Sequence, residues 1–209
     1  MRLLKNGDRP YHLGPFPLET LPRDERIAGP EIARPHIAAD TNKEAGPLLG
    51  LSLRAYRDIF SRVAEGEVAP IRAPDTDDPM RCTVDIKGAA YFMDASQVGI
   101  CRIPLNAWRE GATPRAHTHA IVLLLEHQRV PHDEPRARSW AEGNVQELAE
   151  MRATEIAGNL AGHIRLMGFD ARADVPGQRF LDEERLAVLA GLAVRRDDES
   201  LANPYVDAF

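Results

Sequence analysis

The stretch HAIVLLLEH (119–127) decides the fold class. Its middle, Ala120 to Leu125, is continuously apolar and shows no alternation. That pattern predicts a central strand buried on both faces of a sheet. The run is far too short to span a bilayer. Upstream, SQVGICRIP (96–104) places Val98, Ile100 and Ile103 at or near alternate positions and ends at Pro104, which predicts a second, short strand.

Helices surround this pair. Asp78 followed by Pro79 forms an N-cap and a first helical residue, opening a helix that runs to about Met93. Ser139 and Glu142 form an S-x-x-E capping box for the longest helix. Val145, Leu148, Ile156, Leu160 and Ile164 give that helix one buried stripe, and Gly168 supplies its C′ residue. FDARADV (169–175) reads as another strand, and Asp182 caps a last helix through about Ala193. The order helix, strand, strand, helix, strand, helix predicts an α/β or α+β sandwich, with helices packed on a mixed sheet.

The first fifty residues read differently. Pro10, Pro15, Pro17, Pro22, Pro30, Pro35 and Pro47 restrict them to an extended arm, with Phe16, Leu18 and Leu21 as anchors. Residues 51–77 form a helix and a linker: Tyr56, Ile59, Phe60 and Val63 recur at helical spacing before Gly66. Residues 78–209 form the main domain.

Composition bounds the function. The 209 residues are 44% hydrophobic and 28% charged, enough for one core and unlike a disordered or collagen-like chain. A net charge of −6 lacks the basic footprint of a nucleic-acid binder. The N-terminus MRLLKNGDRP has no apolar signal region, which points to a cytoplasmic protein. Cys82 and Cys101 are two thiols, too few for a [4Fe–4S] cluster or a Cys₄ zinc site, and read as buried and reduced.

Local chemistry offers few candidates. His117 and His119 share one face of a strand and could begin a metal site, yet the third ligand, from Glu126, His127 or His132, is not forced to converge. A structural or surface role for both histidines weighs more. Gly158 and Gly162, one turn apart on the long helix, suit close approach to a sheet or, less often, a flat cofactor. Tyr91 is a candidate proton donor, against the more common role of a core aromatic at a helix end. Phosphate-binding glycine loops and the G-x-S-x-G elbow are absent from the sequence.

Several segments, taken in order, resemble the corrinoid-domain region of reductive dehalogenases. They are DIKGAAYFMDASQVGICRIPLNAW (85–108), HAIVLLLEH (119–127), RATEIAGNLAGHIRLMGFDARAD (152–174) and LAVLAGLAVRRDDESLANPYV (186–206). The arm YHLGPFPLETLPRD (11–24) is similar to the N-terminus of the long, aerobic type, and the late region is shared in part with epoxyqueuosine reductases. The resemblance implies a nitroreductase-like, corrinoid-binding fold whose cobalt is reduced by two [4Fe–4S] clusters in a ferredoxin-like module. Three departures qualify it: the chain stops at Phe209, before the cysteine-rich cluster module; Ala193 stands where the catalytic copy has glycine; and Arg109 follows Trp108 where an aromatic and a histidine are usual. The resemblance therefore implies an N-terminal, vestigial cobalamin-type domain, not catalytic alone. It would pack on a catalytic cobalamin and iron–sulfur module of the same or another chain. Two alternatives stay open: a working corrinoid-binding protein served by an external reductase, and a nitroreductase-like flavoprotein.

Overall fold

The computed structural model describes residues 10–13, 21, 23–39, 48–74, 76–130, 135–206 and 208–209. Six helices and four strands lie among them: α1 (Glu25–Ala33), α2 (Leu48–Ser61), α3 (Pro79–Phe92), β1 (Gln97–Arg102), β2 (His119–Leu124), α4 (Pro135–Glu142), α5 (Val145–Leu166), α6 (Glu183–Leu189), β3 (Val194–Arg195) and β4 (Leu201–Ala202). The class is α+β.

The β1–β2 pair is the organiser. It is antiparallel, in register from Gln97↔Leu124 to Arg102↔His119. One face carries Val98, Ile121 and Leu123 against Ala90 and Tyr91 of α3 and Leu160 and Ile164 of α5. The other carries Cys101, Ala120, Val122 and Leu124 against Leu186, Ala190 and Leu192 at α6 and Val206 in the tail. The unbroken apolar run of β2 is therefore explained, because both faces are covered by helices. β2 is not central, however. Among the described residues its one strand partner is β1, so its cover comes from helices and not from flanking strands, and Ala120 to Leu123 stay half-buried.

Helix ends follow local chemistry. The Asp78 side chain accepts from the Met80 amide, and Pro79 sits in the first turn. α5 ends as Gly168 (φ +87°) takes the left-handed C′ position. There its amide donates to Arg165 O and the Phe169 amide donates to Ile164 O, the paired bonds of a Schellman stop. α6 ends the same way at Gly191, with the Gly191 amide on Val188 O and the Leu192 amide on Ala187 O. That stop explains why α6 finishes at Leu189, short of the expected Ala193.

Three further expectations change. The long helix is two helices: α4 starts at Pro135, leaving Ser139 inside it, and Gly143–Asn144 forms the turn before α5. Segment 169–175 is not a strand, because its backbone meets a loop instead: the Ala173 amide donates to Ala64 O. The arm is not wholly extended. Asp24 caps α1 by accepting from the Arg26 and Ile27 amides, and the helix tolerates Pro30 within it. Its buried Glu31 is held by Arg195 at 2.7 and 3.3 Å. Phe16 and Leu18 lie outside the described residues; Leu21 donates its amide to Gly191 O.

Candidate functional site

The sequence candidates are not brought together. Tyr91 is buried in the core between α3 and β1, and its hydroxyl accepts from the Val98 amide at 3.2 Å. That bond, with Arg23 donating to Ile100 O at 3.0 Å, covers the outer edge of β1 with side chains. His117 precedes β2, and its Nε2 lies 3.1 Å from the Asp170 carboxylate. His119 is exposed at the strand entrance, its Nδ1 2.9 Å from Thr118 Oγ1. No group of three His, Cys, Asp or Glu able to hold a metal occurs among the described residues.

The two glycines of α5 part company. A Cβ on Gly158 would lie 3.2 Å from Val63 Cγ2 and 3.6 Å from Phe60 O, so this glycine lets α2 approach. The expected approach to a sheet is replaced by a helix–helix contact. A Cβ on Gly162 would meet nothing nearer than Arg165 Nη2 at 3.8 Å.

The strongest polar constellations lie elsewhere. Arg54 and Arg57 of α2 meet Glu147 and Glu150 of α5 at 2.6 Å each, in a largely shielded lattice that Arg179 joins at 3.4 Å from Glu150. The matched i, i+3 spacing of Arg54/Arg57 and Glu147/Glu150 was the sequence signal for it. Among the described residues three cations are buried: Lys87, Arg165 and Arg185. Arg165 donates to Val63 O and Ala64 O, carbonyls just past the C-terminal end of α2, where a cation is also favoured by the helix dipole, and to Ala171 O in segment 169–175. Arg185, wholly shielded, donates to Asn106 O and, at 2.6 Å, to Pro35 O, and pairs with Asp182 at 3.3 Å.

Arg109 is a staple. Its side chain donates to Leu181 O at 2.8 Å and Ala38 O at 3.2 Å, and lies 3.4 Å from Glu183. Together Arg109, Arg185, His36 on Trp108 O and Asn106 on Arg34 O clasp the segment around 34–38 to the core.

Titration behaviour follows burial. The Asp174 carboxyl is pushed above its ordinary range by burial, against the pull of amide bonds from Phe180 and Leu181. Glu183 is raised for the same reason, against the pull of Arg179 and Arg109. The Cys101 thiol is pushed up to about 11 by burial. Cys82 is half-buried and Cys101 buried, both unpaired. A half-open groove of about 430 Å³ lies between α1 and the β3 region, but its Glu31, Arg34, Arg195 and Glu199 are paired with one another. These groups position backbone; none stands as an acid–base pair facing open space.

The fold and its polar groups thus define an α+β module whose charges hold the module together. No family model matches the chain, and no curated protein matches it. Solved structures do. Over 99% of its length the chain is similar, at 38% identity and a TM-score of 0.80, to a reductive dehalogenase described in connection with B12-dependent dehalogenation. It is similar at 37% identity and a TM-score of 0.81 to the catabolic reductive dehalogenase NpRdhA. The same holds at 37% and 0.79 for NpRdhA in complex with 3-bromo-4-hydroxybenzoic acid. The chain is therefore homologous to a segment of reductive dehalogenases, and spans only 28% to 29% of their length.

Proposed function

We propose that this chain is a structural module of a reductive-dehalogenase-type protein: the vestigial, N-terminal corrinoid-type domain, inactive alone. It packs on a catalytic cobalamin and iron–sulfur portion carried by the same or another chain in the cytoplasm. One observation carries the reading: a match over 99% of this chain accounts for only 28% of the relative. On this reading residues 1–50 are the arm, 51–77 the helix and linker, and 78–209 a nitroreductase-like core.

The side chains suit a packing role better than a cofactor role. The space that Gly158 leaves is occupied by Val63, His117 faces Asp170, and the Tyr91 hydroxyl is bonded to β1. These residues do not fit a corrinoid, and no catalytic step is assigned to them. Their work is mechanical. Arg165 ties α2 to α5, Arg185 and Arg109 tie the arm to the α6 region, and Arg195 ties α1 to β3.

The test is a visible-absorbance titration of the purified chain with hydroxocobalamin under reducing, anaerobic conditions. The expected result is no saturable change up to ~100 μM, where binding is weaker than about −5.5 kcal/mol. A saturable shift to the base-off spectrum would overturn the packing role in favour of a working corrinoid carrier. A yellow, flavin-like spectrum in the purified protein would do so in favour of a flavoprotein.

A further inference from the structure

α2 is turned inside out relative to an ordinary amphipathic helix. Its inward side presents Arg54 and Arg57 to Glu147 and Glu150 of α5. Its outward side is apolar. At 100° per residue, Leu48, Leu49, Ala55, Tyr56 and Ile59 fall in a sector of about 120°, with Ser52 as the one polar member. Leu48 is 86% exposed, Tyr56 57% and Ile59 51%. A helix that neutralises charge inward and shows leucine, tyrosine and isoleucine outward is suited to being covered on that outer side, because a contiguous exposed apolar patch marks an interaction surface.

We infer that the outer face of α2, from Leu48 to Ile59, is the surface on which the remainder of a reductive-dehalogenase-type protein docks. The occupant is an apolar protein surface from the part of such proteins that this chain does not span. The solved relatives carry the matching segment as 28% of one longer chain, so most of their mass lies outside it and supplies such a surface. This inference rests on the proposed function and adds to it the docking face.

The test is thiol accessibility. Ile59→Cys and, as an exposed control, Asp198→Cys are made in a Cys82→Ser background; Cys101 stays, being buried. Each is prepared as this chain alone and as a chimera in which this chain replaces the matching segment of the longer reductive dehalogenase. Maleimide labelling of Ile59→Cys is expected to slow about tenfold or more in the chimera, as a residue enters a desolvated interface. The Asp198→Cys rate is expected to stay within about twofold. Equal Ile59→Cys rates in the two contexts, with the chimera folded, would overturn the docking face and leave the module reading standing. A chimera that does not fold cooperatively would overturn both. Labelling of the isolated chain that slows as its concentration rises, with a dimer on size-exclusion chromatography, would assign the face to a second copy and overturn the inference.

Discussion

Replacing Gly99 with alanine probes the closest approach in the fold. Gly99 lies in β1 on the side facing the end of α6. A Cβ there would sit 2.6 Å from Ala190 O, 2.8 Å from Ala190 Cβ and 3.1 Å from Leu192 Cγ. An ordinary carbon–oxygen contact is about 3.3 Å, so strand and turn must part by ~0.7 Å. The turn is poorly placed to yield. Ala190 and Leu192 are fully shielded, and the Leu192 amide is committed to Ala187 O. Overpacking of this sort costs about 1–3 kcal/mol. Losing a strand glycine returns at least ~0.5 kcal/mol of chain entropy. The net expectation is a loss of about 0.5–2.5 kcal/mol, or about 1–10 °C in Tm for a chain this long. Urea unfolding followed by circular dichroism, with an unchanged m-value, is the assay. Gly162→Ala is the control: with nothing nearer than 3.8 Å, it is expected to gain up to about 1 kcal/mol from helix propensity. An unchanged midpoint for Gly99→Ala, or an equal loss for Gly162→Ala, would refute the assigned packing of β1 on the 190–192 turn.

Two other outcomes follow from the buried charges. Arg185→Ala leaves the shielded Asp182 carboxylate without its cation and Pro35 O without its donor, and is expected to cost about 3–5 kcal/mol. Limited proteolysis should then cut first near 34–38, and wild-type resistance there would count against the clasp. For Asp174, burial raises the folded-state pKa, so the folded protein holds this proton more tightly than the unfolded chain. The associated stability is present below the ordinary aspartate value and is lost as pH rises through the raised value. The stability difference between wild type and Asp174→Asn should therefore grow as pH falls from about 7 to about 4. Urea midpoints measured across that range check it, and parallel curves would refute the burial.

Much of the core was legible because local rules and tertiary packing agree. Asp78–Pro79 opens α3, Gly168 closes α5, and Asp182 caps α6 by accepting from the Arg185 amide. The apolar run of β2 also announced packing on both faces, although Ala120 to Leu123 are only half-buried. Where expectations moved, a competing local signal or a distant partner decided. Pro135 opened a helix ahead of the Ser139 box, and Gly143–Asn144 divided what hydrophobic spacing alone had joined. Segment 169–175 has the residues of a strand but found a loop carbonyl as its neighbour.

The candidate site was legible only in part. Tyr91, His117, His119 and Gly158 could be singled out by residue type, yet type does not say which partner a side chain will meet. Tyr91 met a strand-edge amide, His117 met Asp170, and Gly158 met Val63.

By itself the sequence determined the class of each strong element, the two-sided packing of β2 and the likeness to reductive dehalogenases, since these rest on periodicity, caps and the order of motifs. Tertiary structure alone decided which face of α2 turns inward. Helical spacing identifies the stripe of Tyr56, Ile59, Phe60 and Val63, but a stripe does not name its partner. The carboxylates of Glu147 and Glu150 drew Arg54 and Arg57 toward α5 and left Tyr56 and Ile59 outside, while Val63 packs on Gly158. Burial in a core depends on what the rest of the chain offers at that place, and there α5 offers charge.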